Sequence, residues 1–254
     1  MSKMTLVLTL GIGIAVSASA NIISINMTDG GSMGTSGGQT AGAVLAGNWN
    51  EIGNSGAAIG TTDLNNLLDN SGAASGVSVV QALWVGGWWN SDAYPTGFSG
   101  TIGNDMYGNF HDFTAADGLQ TWTFNNVNAG VGALYDVYIY SARGFGNTGV
   151  TQFDVNGETK YLANENTVGD YAESGWASQA LAEANLNSGN YVRFQNVSLD
   201  TLVVGVSGLE DLTNGGVAGS VAGLQIVAIP EPATFGLLAA FGGGMLFLRR
   251  MRNG

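Results

Sequence analysis

The chain has 254 residues, 41 of them glycine, with no cysteine and one histidine, and its 19 acidic residues outnumber 7 basic ones to a net charge of −12. Without cysteine there is neither a disulfide framework nor a thiolate metal site, and one histidine rules out a multi-histidine zinc site. So acidic a balance disfavours nucleic acid and anionic lipid headgroups, whose phosphates require clustered Lys and Arg.

Lys3 opens the chain with a positive charge, residues 4–16 are an apolar run, and Ala18-Ser19-Ala20 puts small residues where a signal peptidase reads. Residues 1–20 are therefore expected to be a signal peptide, cleaved before Asn21. The apolar run is too short to span a bilayer comfortably, which argues against a retained anchor. With both ends set aside, residues 21–228 keep Arg143, Lys160 and Arg193 against 18 acidic residues, a net charge of −15. A body of that length supports one sizeable core and is expected to be a single domain. Its apolar runs are too regular and too aromatic for a disordered segment.

Short runs rich in β-branched and aromatic residues predict strands over residues 22–27, 65–69, 77–85, 120–125, 134–140, 150–155, 160–162, 190–196, 202–206 and 222–228. Asp69-Asn70-Ser71-Gly72 and Asn156-Gly157 are the clearest turns, the second closing a tight hairpin. In the run Tyr135 to Tyr140, Val137 and Ile139 alternate with Asp136, Tyr138 and Tyr140, so one face is expected to be core. Only residues 104–112 and 175–186 invite helix. Many strands without helical alternation or an internal repeat predict an all-β, two-sheet β-sandwich, with the jelly roll as its expected form.

His111 stands in Asn109-Phe110-His111-Asp112. A Ser-His-Asp triad would have to pass through it, but no Gly-x-Ser-x-Gly elbow supplies the nucleophile. His111 reads instead as a hydrogen-bonded loop residue. The acids could include a glycosidase pair, yet no spacing singles one out, so no enzyme is expected and no catalytic residue assigned. Asp105, Asp112 and Asp117, or Asp29, could offer oxygen ligands to calcium, the one cofactor considered. Without an EF-hand or nonapeptide repeat, solvated loop carboxylates are the simpler reading. The strongest binding candidate is the cluster from Trp84 to Pro95. There Trp88, Trp89 and Tyr94 offer flat faces for sugar rings, and Asn90 and Asp92 offer hydrogen bonds to hydroxyls. Trp88 and Trp89 point oppositely in an extended chain, so at most one is expected to be free. Trp49, Trp122 and Trp176 are expected to pack in the core or between strands.

Several pieces of the body loosely resemble malectin-like and galactose-binding-like jelly rolls of exported bacterial proteins. They are Ile23-Ser24-Ile25-Asn26, Ala46-Gly47-Asn48-Trp49-Asn50, Leu68 to Val77, Tyr135 to Tyr140, Gly189 to Phe194, and Ala222-Gly223-Leu224-Gln225-Ile226. The resemblance implies that fold and, more weakly, carbohydrate binding; it carries over no ligand residue.

The chain closes on Pro230-Glu231-Pro232, an uncharged run over residues 233–248, and Arg249-Arg250-Met251-Arg252. As a helix the run spans about 24 Å, short of a bilayer core of about 30 Å. Arg249 and Arg250 lengthen it by keeping their guanidinium groups in the headgroup layer. The basic end is expected to stay cytoplasmic. Pro232 stops the helix from continuing upstream and holds Pro-Glu-Pro extended. In this order the parts resemble the PEP-CTERM sorting signal of Gram-negative bacteria, whose members are implied substrates of exosortase, a membrane-embedded protease-transpeptidase. The resemblance implies that residues 229–254 are a sorting segment, that Pro230, Glu231 and Pro232 are its processing motif, and that Arg249, Arg250 and Arg252 are its membrane stop. The expected protein is exported, first held in the inner membrane, then at the cell surface or in the extracellular matrix. It is non-catalytic, with signal peptidase, exosortase and exopolysaccharide as partners. A carbohydrate-binding module built on the loop aromatics and a glycan-active hydrolase with an acidic site are the alternatives.

Overall fold

The computed structural model describes residues 21–27, 42–52, 65–82, 88–89, 111–114, 118–141, 148–164, 171–213, 215–216 and 218–230. Their elements run β1 (Ile22–Met27), β2 (Asn50–Ile52), β3 (Ser78–Ala82), β4 (Trp88–Trp89), β5 (His111–Thr114) and β6 (Gln120–Asn125). There follow α1 (Val127–Gly130), β7 (Tyr135–Tyr140), β8 (Gly149–Val155), β9 (Glu158–Asn164), α2 (Gln179–Ala184), β10 (Tyr191–Val197), β11 (Leu202–Asp211), β12 (Ala218–Val221) and β13 (Gly223–Ala228). Ala20–Ile229 gathers into one compact unit.

One sheet has the order β10-β7-β13-β1-β2, a second β3-β6-β11-β8-β9, and a small third β12-β5-β4. Apart from the parallel pair β1 and β2, the described strand pairs are antiparallel. Alternate residues point to one face of a strand, and the two large sheets turn such faces toward each other. Ile23, Ile25, Val137, Ile139, Phe194 and Ile226 from the first meet Trp122, Phe124, Phe153, Leu162, Leu202 and Val204 from the second in one buried cluster. The described residues are thus mostly β and sandwich-like, consistent with the all-β sandwich that the strand pattern predicts.

Local chemistry explains where expectation and structure part. Residues 65–69 make only isolated bridges, Leu68 to Ala74 and Ile23 to Asp69. Here Asp69 Oδ1 accepts from the Ser71 and Ala73 amides at 2.8 and 3.0 Å and from Ser71 Oγ, curling the chain into a turn instead of a ladder. Burial pushes the Asp69 carboxyl up, but the bonds from Ser71, Ala73 and Gly72 outweigh it and hold the group below its ordinary value. Asn156 and Gly157 both take positive φ, 51° and 91°, the geometry of a two-residue hairpin turn between β8 and β9. The helix expected over 175–186 shrinks to α2. Trp176 is held extended by bonds in both directions with Tyr161 at 2.9 Å, and helix begins only where Ser178 accepts from Leu181 N. The other expected helix, 104–112, is corrected at its end: His111 and Asp112 lie in β5, and the remainder falls outside the described residues.

Two further features position the surface. Glu173 bridges to Tyr191 of β10 and Trp176 to Tyr161 of β9, so one short segment covers the neighbouring edges of both sheets. At one end of the sandwich β1 starts beside the finish of β13. Ala228 N donates to Asn21 O and Ile229 N to Leu134 O, both at 2.9 Å. We call this the exit end. The Asp69–Gly72 turn, α1, the Asn156–Gly157 turn and the β10–β11 link lie there, tied by Asn70 N to Ile22 O, Val127 N to Asp200 O and Asn156 N to Val203 O. Met27, Tyr140 and Asn164 finish at the far end, where Gly149 and Tyr191 begin. Among the described residues no helix is long and apolar enough to cross a membrane; the run 233–248 lies outside them.

Candidate functional site

The richest cluster of polar and aromatic side chains lies on the outer face of the first sheet. Neighbouring strands place Ser24 beside Gln225 and Gln225 beside Tyr138, and likewise Asn26, Gly223, Tyr140 and Tyr191 in the next row. Sequence alternation predicted one buried face for β7, but every residue of β7 is buried. The difference has a physical cause: residues 42–49 and Tyr171 fold over the outer face and bury Tyr138, Tyr140, Tyr191, Trp49 and Val227 in a second cluster.

Hydrogen bonds fix this cover. The Tyr140 hydroxyl donates to Gln225 Oε1 and accepts from Ala43 N at 2.8 Å, while Tyr171 accepts from Gly42 N at 3.0 Å. Gln225 Nε2 donates to Ser24 Oγ at 3.0 Å and to Val44 O at 2.8 Å. Trp49 Nε1 reaches Ala46 O at 2.9 Å. Gly42 has φ of 93°, and a Cβ there would collide with the Gln225 amide. The Tyr140 ring centroid lies 6.4 Å from Trp49, 5.7 Å from Tyr171 and 5.6 Å from Tyr191. Asn26 is fully buried with neither amide atom hydrogen-bonded. Burial pushes the Tyr140 hydroxyl well above its ordinary value and raises Tyr138, Tyr171 and Tyr191 in the same direction. At neutral pH these phenols are hydrogen-bonding groups, not bases.

The charged groups beside the cluster are equally committed. Buried Asp136 accepts from Arg193 Nε at 3.0 Å and from Asn196 N at 2.9 Å, and the guanidinium lies 5.3 Å from the Tyr138 ring centre. The hydrogen bond to Asp136 raises the Arg193 pKa. Lys160 donates to Arg193 O, sits 4.9 Å from the Phe194 ring centre and 3.6 Å from Glu158. Two of the body's three basic residues are thereby engaged inside the fold, and the third, Arg143, lies outside the described residues.

The structure brings four expected site residues onto one small sheet. Trp88 pairs with Asp112 and Trp89 with His111, and those two pair with Ser220 and Val221 of β12. His111 is therefore a strand residue and not a loop residue. Likewise Trp88 and Trp89 form β4, not a free loop, because β5 offers them a partner edge. Asn90, Asp92, Tyr94, Trp84, Asp29, Asp105 and Asp117 lie outside the described residues, as do Ala18, Ala20, Glu231, Pro232, Arg249, Arg250 and Arg252. Among the described residues no group of three or more His, Asp or Glu is placed to hold a metal ion. Trp49 and Trp122 are buried and Trp176 half-buried, as expected. Pro230 is exposed, directly after Ile229, whose N–H is bonded to Leu134 O. The tyrosine face escaped the sequence reading, although Tyr at positions 138 and 140, where alternation expects polar residues, was its signal. Comparison of the chain with protein-family models, curated proteins and solved structures gave no match.

Proposed function

We propose that this chain is an exported, non-catalytic cell-surface or extracellular-matrix protein, sorted through its C-terminal segment and processed by an exosortase at or near Pro230-Glu231-Pro232. The carrying observation is the order of parts in the tail: Pro-Glu-Pro, sixteen uncharged residues, then Arg249-Arg250-Met251-Arg252. The body fits this reading. The last described strand ends at Ala228 and the first proline is already exposed, so removal of the tail leaves every described strand intact. The Tyr140 and Tyr171 hydroxyls and the Asp136–Arg193 pair serve internal bonds, a structural use of groups that catalysis would need free.

Strand order supports the finer reading of the body as a jelly roll. Take β1, β6, β7, β8, β9, β10, β11 and β13 as the first to eighth strands. One sheet then holds them as 1-8-3-6 and the other as 2-7-4-5, the order in which two Greek keys wrap a sandwich. Replacement of Pro230, Glu231 and Pro232 by alanine tests the sorting proposal. The full-length chain should accumulate in the inner membrane with its fold unchanged; normal processing and release would overturn the reading.

A further inference from the structure

We infer that Tyr138 and Tyr191 form an oxidative cross-linking site, where hydrogen peroxide drives their rings to join through a carbon–carbon bond and staples β10 to β7 as dityrosine. The pair owes nothing to the tail, so its fate and the sorting reading stand or fall separately.

The strand ladder holds the two rings together. Tyr191 stands opposite Tyr140 and Arg193 opposite Tyr138. Tyr138 and Tyr191 are therefore diagonal neighbours on one face, within reach of each other for aromatic side chains. Their ring centroids lie 5.8 Å apart with 42° between the planes. The other described tyrosine pairs of this face are steeper, Tyr140 with Tyr191 at 50° and Tyr140 with Tyr171 at 69°. An edge-to-face pair sets the edge of one ring against the face of the other, whereas a biaryl bond needs two ring edges to meet. Tyr140 is also clamped, its hydroxyl donating to Gln225 Oε1 and accepting from Ala43 N at 2.8 Å.

Burial selects the partner. Exposed at only 8% and 9%, Tyr138 and Tyr191 offer too little ring to a second chain, so a radical on either couples with its neighbour. The oxidant need not touch them. Half-buried Tyr171 lies 5.7 Å from Tyr140, and Tyr140 lies 5.6 Å from Tyr191, a series of ring contacts along which an electron vacancy moves inward. Cysteine, whose thiolate would intercept the oxidant, is absent from the chain.

Each phenol gives up one electron and its hydroxyl proton and becomes a phenoxyl radical. The two radicals join at ring carbons ortho to oxygen: one C–C bond forms, two ring C–H bonds break, and both oxygens end as hydroxyls. The pair has then lost two hydrogen atoms, and one hydrogen peroxide has taken up two electrons and two protons to give two waters. Because β10 ends its sheet, the link ties an edge strand to its neighbour. Like a disulfide, it also restricts the unfolded chain.

The test treats the dilute full-length chain with hydrogen peroxide and a small haem peptide as catalyst, under conditions that couple N-acetyltyrosinamide. The expected product is a monomer with dityrosine fluorescence, a mass lower by two hydrogens, and a cross-linked peptide pair containing Tyr138 and Tyr191. Its urea midpoint should exceed that of the untreated chain. Tyr138→Phe and Tyr191→Phe should each abolish dityrosine in the monomer, while Tyr161→Phe, which alters a ring packed in a different cluster, should leave it unchanged. The peptide map of the unmutated chain decides the matter even where a variant folds poorly. Links confined to other tyrosines, coupling only between chains, or no dityrosine while N-acetyltyrosinamide couples would each overturn the proposal.

Discussion

The two large sheets share one core but treat their outer faces differently. The first sheet is buried on both sides, with tyrosines, Gln225 and Asp136 carrying the second layer. The second turns Thr121, Thr123, Gln152 and Asp154 partly to solvent. A strand read as one-faced from alternation becomes two-faced when another stretch of chain covers it. Its polar positions must then be filled by groups that can be buried and still bond. Tyrosine meets both demands with a large apolar ring and one hydroxyl.

Four substitutions and a titration probe that contrast. Phe194→Ala opens a cavity in the core common to both sheets and should cost about 3–5 kcal/mol, read as a lower urea midpoint. Arg193→Ala leaves buried Asp136 without its cation; because the guanidinium is partly solvated, the loss should be about 2 kcal/mol, below the range for a fully buried pair. Tyr140→Phe keeps the ring but strands Ala43 N and Gln225 Oε1, at about 1–2 kcal/mol in the same assay. In alkaline titration, unfolded tyrosines ionise near pH 10, whereas burial pushes Tyr135 up to about 12. The stabilisation from neutral Tyr135 is complete below pH ~10 and is lost as pH rises through about 12. Absorbance of phenolate should accordingly rise together with unfolding, not before it. Thr123→Ala, on the open face of the second sheet, should change stability by no more than ~0.5 kcal/mol. Should it cost as much as Tyr140→Phe, the difference between the two outer faces would vanish.

Strands with strong β-branched patterning were legible in advance: β1 and β6 occupy the expected residues, and the Asn156-Gly157 hairpin follows from two residues that accept positive φ. β2, β5 and β12 were not, because strands of three or four residues have no periodicity to read and exist through their partners. β11 runs past Val206 to Asp211 because an irregularity between Gly208 and Glu210 lets pairing with β8 resume. The placement of Trp88 and Trp89 opposite His111 and Asp112 depends on a contact twenty-odd residues away, which local pattern does not encode. The tail motif is the converse case, legible from order and charge alone.

The bond between Ala228 N and Asn21 O has a mechanical consequence. Pulled apart at residues 21 and 229, the antiparallel β1–β13 pair would open like a zipper, its five residue pairs yielding one after another. A chain held at its C-terminal side and dragged at the far end instead loads β13 lengthwise, against five residue pairs of β1 and six of β7 together. Force along that direction meets a central strand in shear, so the same fold is weak to tension across its own ends and strong to a load carried from its C-terminal side to the far end.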